Sequence, residues 1–370
     1  MNVNKISTVE AIALVIIITI NRLTVSLPQT ILIPCGSSSI LNVIYVSIIA
    51  ILFSCLLVKL FKRFTASDII DVSEFLGGKF LKTLVGIILV TYIIFISFIL
   101  LRDFSEVLHI LYYSDTPVIF ILLFFIFVCI VSNLLGSRSI LKTNVVICII
   151  MLIGIFISCM TIIPDITIER IFPILGNGTY QTFVAGITNI FAFNGLIILY
   201  LVPPMLKDKK DFKKVSLIST IVSGFFILLS IIVLLLPFAF STKIPKIAPF
   251  YLLISNNQFG KYFQHPESFF AFTWILSIMT YLNFSCMFLL QIIKKLTNIK
   301  NEKPLLLPLA IIFFVIAIIP KNIMQARQWG LFVYKFIAGP LFFILLPIIL
   351  IFANLKYKKL HKNDYDVLEE

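Results

Sequence analysis

Residues Ala11–Pro28 read AIALVIIITINRLTVSLP. Such a run belongs in hydrocarbon as a helix, because lipid offers backbone amides and carbonyls no partner and a helix supplies them internally. Asn21 and Arg22 interrupt it before Val25 and Pro28. Counted from Thr8 at about 1.5 Å per residue, Arg22 stands roughly 21 Å along the span. A charge at that depth costs several kcal/mol unless it is paired or snorkels to water. The stretch reads as a membrane helix with a break in it.

Outward from this segment the pattern repeats. The chain of 370 residues is 60% hydrophobic, with a mean hydropathy of +1.10. A water-soluble domain of this size could not cover so much apolar surface with so few charges. Apolar run length and breaks at Pro, Gly and charge clusters place about ten spans, at 8–33, 38–59, 83–108, 117–135, 142–163, 182–205, 215–240, 267–292, 305–320 and 330–354. The connectors leave no room for a separate soluble domain, so residues 1–370 read as a single polytopic membrane domain. The first run has only Lys5 before it and no small-residue cleavage pattern after it, and is read as a retained span.

The net charge of +13 would suggest nucleic acid in a soluble protein. Here the bases sit in short loops beside apolar spans, where anionic lipid and the positive-inside rule account for them, so membrane lipid is a partner and nucleic acid is not. With the N-terminus inside, 21 Lys and Arg fall on that side and seven on the other: Arg170, Lys243, Lys246, Lys261, Lys321, Arg327 and Lys335. Arg22 and Arg102 lie inside apolar runs. The asymmetry places both termini in the cytoplasm. The segment from Ala66 to Gly78 carries Asp68, Asp71 and Glu74 opposite Ile69, Ile70, Val72, Phe75 and Leu76, the pattern of a short interfacial helix.

Chemistry-bearing residues are sparse. Cys35, Cys55, Cys129, Cys148, Cys159 and Cys286 are scattered, mostly in apolar runs, and His109, His265 and His361 share no short motif with another ligand. Neither set has metal-site or redox spacing, and no catalytic constellation is legible. The sequence implies no metal, no cofactor and no enzyme.

Span 6 is interrupted too: Phe193-Asn194-Gly195 stand between Ile190 and Leu196-Ile197-Ile198, followed by Pro203-Pro204. Spans 1 and 6 are the first members of two five-span sets, so the interruptions correspond in a 5+5 inverted-repeat transporter fold, where broken helices present free amides and carbonyls to a ligand near the midplane. The expected fold is thus an all-α integral membrane protein with broken helices 1 and 6. Candidate ligand-binding residues are Thr19, Asn21, Arg22, Phe193, Asn194 and Gly195, with Thr280 and Asn283 on one stripe of span 8. Tight helix packing through Gly195, and Thr280 and Asn283 bonding to neighbouring helices, are the alternative readings.

Arg102, Asp103 and Glu106 form a charged group near the far end of span 3. Arg102 and Glu106, four apart, share a helix face and suit an ion pair, or a gate or ligand contact. Arg22 is expected to meet Asp103, Glu106 or a ligand carboxylate.

Leu100-Leu101-Arg102-Asp103-Phe104-Ser105-Glu106-Val107-Leu108 resembles a segment of the B subunits of spore germinant receptors, the spore germination permease family. Ile6-Ser7, Phe172-Pro173-Ile174-Leu175-Gly176-Asn177-Gly178 and Leu201-Val202-Pro203-Pro204-Met205-Leu206-Lys207-Asp208 are similar to further segments in the same order, and coverage runs from Ile6 to Phe352. The resemblance implies the fold of amino acid, polyamine and organocation transporters. It also implies a nutrient-sensing subunit of the inner spore membrane that binds a small nutrient such as an amino acid and signals to an A-type subunit and a lipoprotein C-type subunit. An ion-coupled amino acid permease, and a channel-forming or structural subunit, are the alternatives. The sequence departs from the family pattern at Asn21-Arg22, where a Gly-Ser pair is usual, and at Leu196, where a Glu is frequent. The first departure puts a bulky cation where relatives leave room for ligand. The second removes a proton or amine partner.

Overall fold

Ser7 opens the first helix with a reciprocal cap. Its hydroxyl accepts from the Glu10 amide while the Glu10 carboxylate accepts from the Ser7 amide at 2.7 Å, satisfying two donors that a helix start leaves open. The computed structural model describes residues 5–23, 27–237, 247–256 and 266–366, with side chains described to Leu360. Helix α1 (Thr8–Ile20) ends in a turn at Asn21, and α2 (Leu27–Cys35) resumes the span behind Leu27-Pro28. Proline suits this place because the first turn of a helix leaves its amides unused anyway.

The chain continues through α3 (Ser39–Phe61), α4 (Ile69–Leu111), α5 (Val118–Leu135), α6 (Ser137–Met160), α7 (Tyr180–Tyr200), α8 (Phe212–Leu235), a short α9 (Pro249–Ser255), α10 (Pro266–Thr297), α11 (Leu306–Ile318) and α12 (Ile323–Leu360). Among the described residues eight helical stretches are long and apolar enough to cross a membrane, and α1 and α11 are shorter apolar helices. Helices account for the architecture, with no strand among the described residues. This is an all-α integral membrane protein of transporter-like fold.

Helix α1 lies at its centre, packed on α6, α7 and α8, with Ala11, Leu14, Val15 and Ile17 fully buried. The outer faces of the surrounding helices expose large apolar side chains such as Leu52, Phe120, Phe127 and Phe336. In water that distribution would be ruinous; in lipid it is the solvent-facing surface.

Two features differ from the sequence reading. The short helix capped at Asp68 is where the sequence places it and gives way to the third span at Gly77 and Gly78, whose backbone leaves the helical region, but helix follows at once instead of a loop; the φ of 66° at Gly78 lies in the left-handed region that favours glycine. The last span starts at Ile323, because the Asn322 side chain accepts from the Gln325 amide at 2.9 Å and caps it. Arg327, placed outside the spans by the sequence reading, is therefore on α12, as is Lys335, which was counted with the outer side. Lys243, Lys246, Lys261 and His265 lie outside the described residues, as does the side chain of His361.

The segments rich in lysine meet at one face. Ile6 pairs as a parallel bridge with Leu206, the Ile6 amide donating to the Met205 carbonyl at 2.8 Å and the Lys207 amide to the Ile6 carbonyl at 3.1 Å. The Thr8 hydroxyl donates to Asp211, and Lys295 at the end of α10 pairs with Asp68 at 2.5 Å and Asp71 at 2.7 Å. At the opposite, lysine-poor face the connector after α6 straps the end of α2. Ser37 donates to the Pro173 carbonyl, and the Asn177 side chain donates to the Pro34 carbonyl at 2.9 Å.

Candidate functional site: the two helix breaks

The breaks of the first and sixth spans touch. Backbone geometry leaves the helical region at Phe193, with φ −98° and ψ 15°. Two residues on, Gly195 lies so close to α1 that a β-carbon there would stand 2.6 Å from the Thr19 backbone nitrogen. Only glycine allows that approach. Thr19 turns its hydroxyl back to the Val15 carbonyl at 2.7 Å, while Asn21 donates to the carbonyl and hydroxyl of Ser277 on α10, both at 3.0 Å. Asn194 donates to the Tyr334 carbonyl at 3.1 Å. Tyr334 lies where α12 winds in wide turns from Val333 to Ala338, the kind of local widening found at functional sites. The Asn194 side-chain oxygen is buried and has no hydrogen-bond partner among the described residues.

Two cavities adjoin this junction. The deeper, about 40 Å³, is lined by Thr19, Arg22, Phe191, Asn194, Gly195, Tyr92, Tyr281, Ser285 and Tyr334, among others. It holds little more than one water. The other, about 240 Å³, opens toward the lysine-poor face between α2, α4 and α12, with Gln29, Thr30, Asp103, Arg327 and Gln328 in its wall. Arg22 and Tyr334 line both and form the partition. The Arg22 guanidinium lies 3.4 Å from the Tyr334 ring centroid and 5.6 Å from that of Phe191, a cation–π contact worth about 2 kcal/mol when desolvated.

Arg22 faces Asp103 across the larger cavity, whose wall both line, but the direct ion pairs of its expected partners are with other arginines. Asp103 pairs with Arg327 at 2.7 Å, both side chains nearly buried, and Glu106 pairs with Arg102 at 2.5 Å on the same helix. Thr19, Arg22, Asn194 and Gly195 come together at the deeper cavity, whereas Asn21 bonds to α10 and the Phe193 ring packs toward Gly224 on α8. Thr280 and Asn283 are not in the wall of either cavity: the Thr280 hydroxyl bonds to Leu276 within its own helix, and the Asn283 carbonyl accepts from Asn133 at 3.4 Å. Sequence reasoning missed Tyr92, Tyr281, Tyr334 and Arg327. Helical spacing would have found part of the set, since Arg327, Leu331 and Tyr334 fall on one face once α12 is extended to Ile323.

Two broken helices in contact, with a pair of cavities parted by Arg22 and Tyr334 beside them, belong to an all-α integral membrane protein of transporter-like fold. The chain belongs to the spore germination protein family, whose model matches residues 5–326. It is 27% identical over 162 residues to spore germination protein KB of Bacillus subtilis, an alignment spanning 43% of each chain. It is 21% identical over 327 residues to spore germination protein YndE of the same organism, covering 86% of this chain and 88% of the relative.

Proposed function

We propose that this protein is the membrane-embedded germinant-sensing subunit of a spore nutrient receptor. It binds a small nutrient such as an amino acid between broken helices 1 and 6 and signals to an A-type subunit and a lipoprotein C-type subunit. Its place is the inner spore membrane, with the lysine-rich face and both termini on the core side. The observation that carries this reading is the junction of Thr19 with Gly195, where the Asn194 oxygen is buried without a partner among the described residues, beside a cavity lined by Arg22, Ser285 and three tyrosines. A buried acceptor left unmade costs about 1–3 kcal/mol, and a ligand donor would recover it. The deeper cavity is smaller than an amino acid, so binding requires Arg22 and Tyr334 to part. That movement is the signal proposed to reach the partner subunits.

The sensor reading is preferred to an ion-coupled permease because Asp103 and Glu106 are each held by an arginine. A coupling carboxylate has to load and release its proton in each cycle. The test is germination of spores carrying Arg22→Ala or Asn194→Ala with the A-type and C-type subunits present and the protein at its normal level. Loss of the nutrient response is expected, and a full response in both variants would overturn the proposal.

A further inference from the structure

The short helix over residues 69–76 holds the lysine-rich ends of two helices that hardly meet. At its start Asp68 accepts from the Ile70 and Asp71 amides, and Lys295 of α10 reaches both carboxylates, Asp68 at 2.5 Å and Asp71 at 2.7 Å. At its end the Lys356 ammonium of α12 donates to the carbonyls of Phe75 at 2.7 Å and Leu76 at 3.1 Å. A cation in that place takes up carbonyls that a helix end leaves open and meets the negative end of the helix dipole. Aromatic rings strengthen this second joint: Tyr357 of α12 packs against Phe75 and Phe64, with centroids 6.4 and 5.9 Å apart. Elsewhere α10 packs on α4, α5 and α6, and α12 on α3 and α4; among the described residues the two make no extended contact with each other.

Both helices also line the deeper cavity, α10 through Tyr281, Ser285 and Phe288 and α12 through Tyr334. A movement that parts Tyr334 from Arg22 displaces α12 against α10, and the short helix is fastened to both. Along their helices Lys356 is roughly 33 Å from Tyr334 and Lys295 roughly 21 Å from Tyr281, at about 1.5 Å per residue. The short helix has a place to turn, because Gly77 and Gly78 both leave the helical region where it joins the third span. Glu74 pairs with Lys82 across that bend at 2.8 Å, but the Glu74 side chain is 41% exposed, so the pair resists turning only weakly.

We infer that the short helix is a strut that carries the state of the central cavity to the lysine-rich face. When α12 shifts at Tyr334, the joints at Lys356 and Lys295 turn the strut about Gly77 and Gly78. This inference rests on the sensor reading for where the movement starts and adds the element that delivers it. The two-state element required of any coupling between distant sites is here a single helix with a fastening at each end and a hinge behind it.

The test is hydrogen–deuterium exchange of the amides of residues 69–76, followed in the full chain in nanodiscs. Tyr334→Ala removes the ring that parts the two cavities and is expected to change that exchange at least threefold, while the amides of residues 216–220 on α8, touched by neither joint, keep their rates. Lys356→Met together with Tyr357→Ala opens the α12 joint. In that background Tyr334→Ala is expected to leave the exchange at the level the two joint substitutions set. A joint with a merely structural role would let Tyr334→Ala act by the same factor in both backgrounds, so the double-mutant comparison separates coupling from loosening. Asn194→Ala, which frees the Tyr334 carbonyl, replaces Tyr334→Ala should that variant fail to fold. Unchanged exchange over residues 69–76 in the folded cavity variant, or an equal change in both backgrounds, would overturn the inference. The two readings fail separately. Coupled exchange in a protein whose loss leaves the germination response to a mixture of amino acids intact defeats the sensor reading alone, whereas a response that depends on the protein, with exchange at the strut indifferent to the cavity variant, defeats this inference alone.

Discussion

The two ends of the helix bundle are tied together by different means. On the lysine-poor side a cavity of about 240 Å³ reaches down to Arg22 and Tyr334, and one nearly buried ion pair, Asp103 with Arg327, joins α4 to α12 in its wall. On the lysine-rich side the closure is distributed: the Ile6–Leu206 bridge, the Thr8–Asp211 bond and the Lys295 contacts with Asp68 and Asp71 tie the N-terminus, the connector after α7, the bent start of α4 and the end of α10 together. On the lysine-poor face the strap from Ser37 and Asn177 to Pro173 and Pro34 holds α2, but between α4 and α12 the ion pair stands in the cavity wall, where one substitution can break it. A distributed seal yields only when several bonds go at once. The α4–α12 contact in the wall of the larger cavity is therefore the one that a single substitution is expected to loosen most.

The largest effect should come from cutting the single pair. Asp103→Ala leaves the guanidinium of Arg327 without its carboxylate in a nearly dry place, which costs about 3–5 kcal/mol. Replacing both residues by leucine should recover most of that loss, since a well-packed apolar pair often matches a buried ionic one. Unfolding of the purified variants in detergent measures both, and a single variant as stable as the parent would show that the pair is not what holds α4 to α12. Next in size is Gly195→Ala at the junction between the two ends. Its β-carbon would press on the Thr19 backbone, and overpacking of this kind costs about 1–3 kcal/mol. The same unfolding measurement should show it, together with greater labelling of a cysteine placed at Thr30 in the vestibule wall. Unchanged labelling would mean that the first and sixth spans separate without opening the vestibule.

How much of this was legible in the sequence depends on how local the cause is. Asn21-Arg22 and Phe193-Asn194-Gly195 could be found because polar residues in an apolar run disrupt a helix where they stand, and both breaks are in the structure. The pairing of Asp103 could not, because it depends on α12 starting at Ile323, and the polar stretch Gln325–Gln328 looks like a loop until the Asn322 cap is seen. The tyrosines of the deeper cavity were invisible for a related reason. Tyr92, Tyr281 and Tyr334 come from three separate helices, and nothing in their own neighbourhoods distinguishes them from packing aromatics. Thr280 and Asn283 show the reverse error: spacing put them on one stripe, and helix rotation turned that stripe away from the cavities.

The smallest expected effect concerns the distributed seal and depends on pH. Asp68 caps the start of α4 and faces Lys295 and Asp71, and it is buried enough that loss of water outweighs the attraction of the lysine, with the charge of Asp71 adding to the rise; its carboxyl is pushed up to about 6. A carboxyl whose folded value lies above its unfolded one contributes stability that is complete below the unfolded value and disappears as pH rises through the folded value. The seal should therefore strengthen on acidification from pH 7 to below 6, by at most about 1.4 kcal/mol per pH unit. Asp68→Asn keeps an oxygen to accept the Ile70 and Asp71 amides but cannot ionise, so it should flatten the dependence without undoing the cap. The informative quantity is the difference between parent and variant in unfolding temperature across pH 5 to 7.5, because other groups titrate in both. A parent that gains on the variant as pH rises would mean that the charged Asp68–Lys295 contact is net stabilising, and the lysine-rich end would then be held by attraction between ions and not by its many weak bonds.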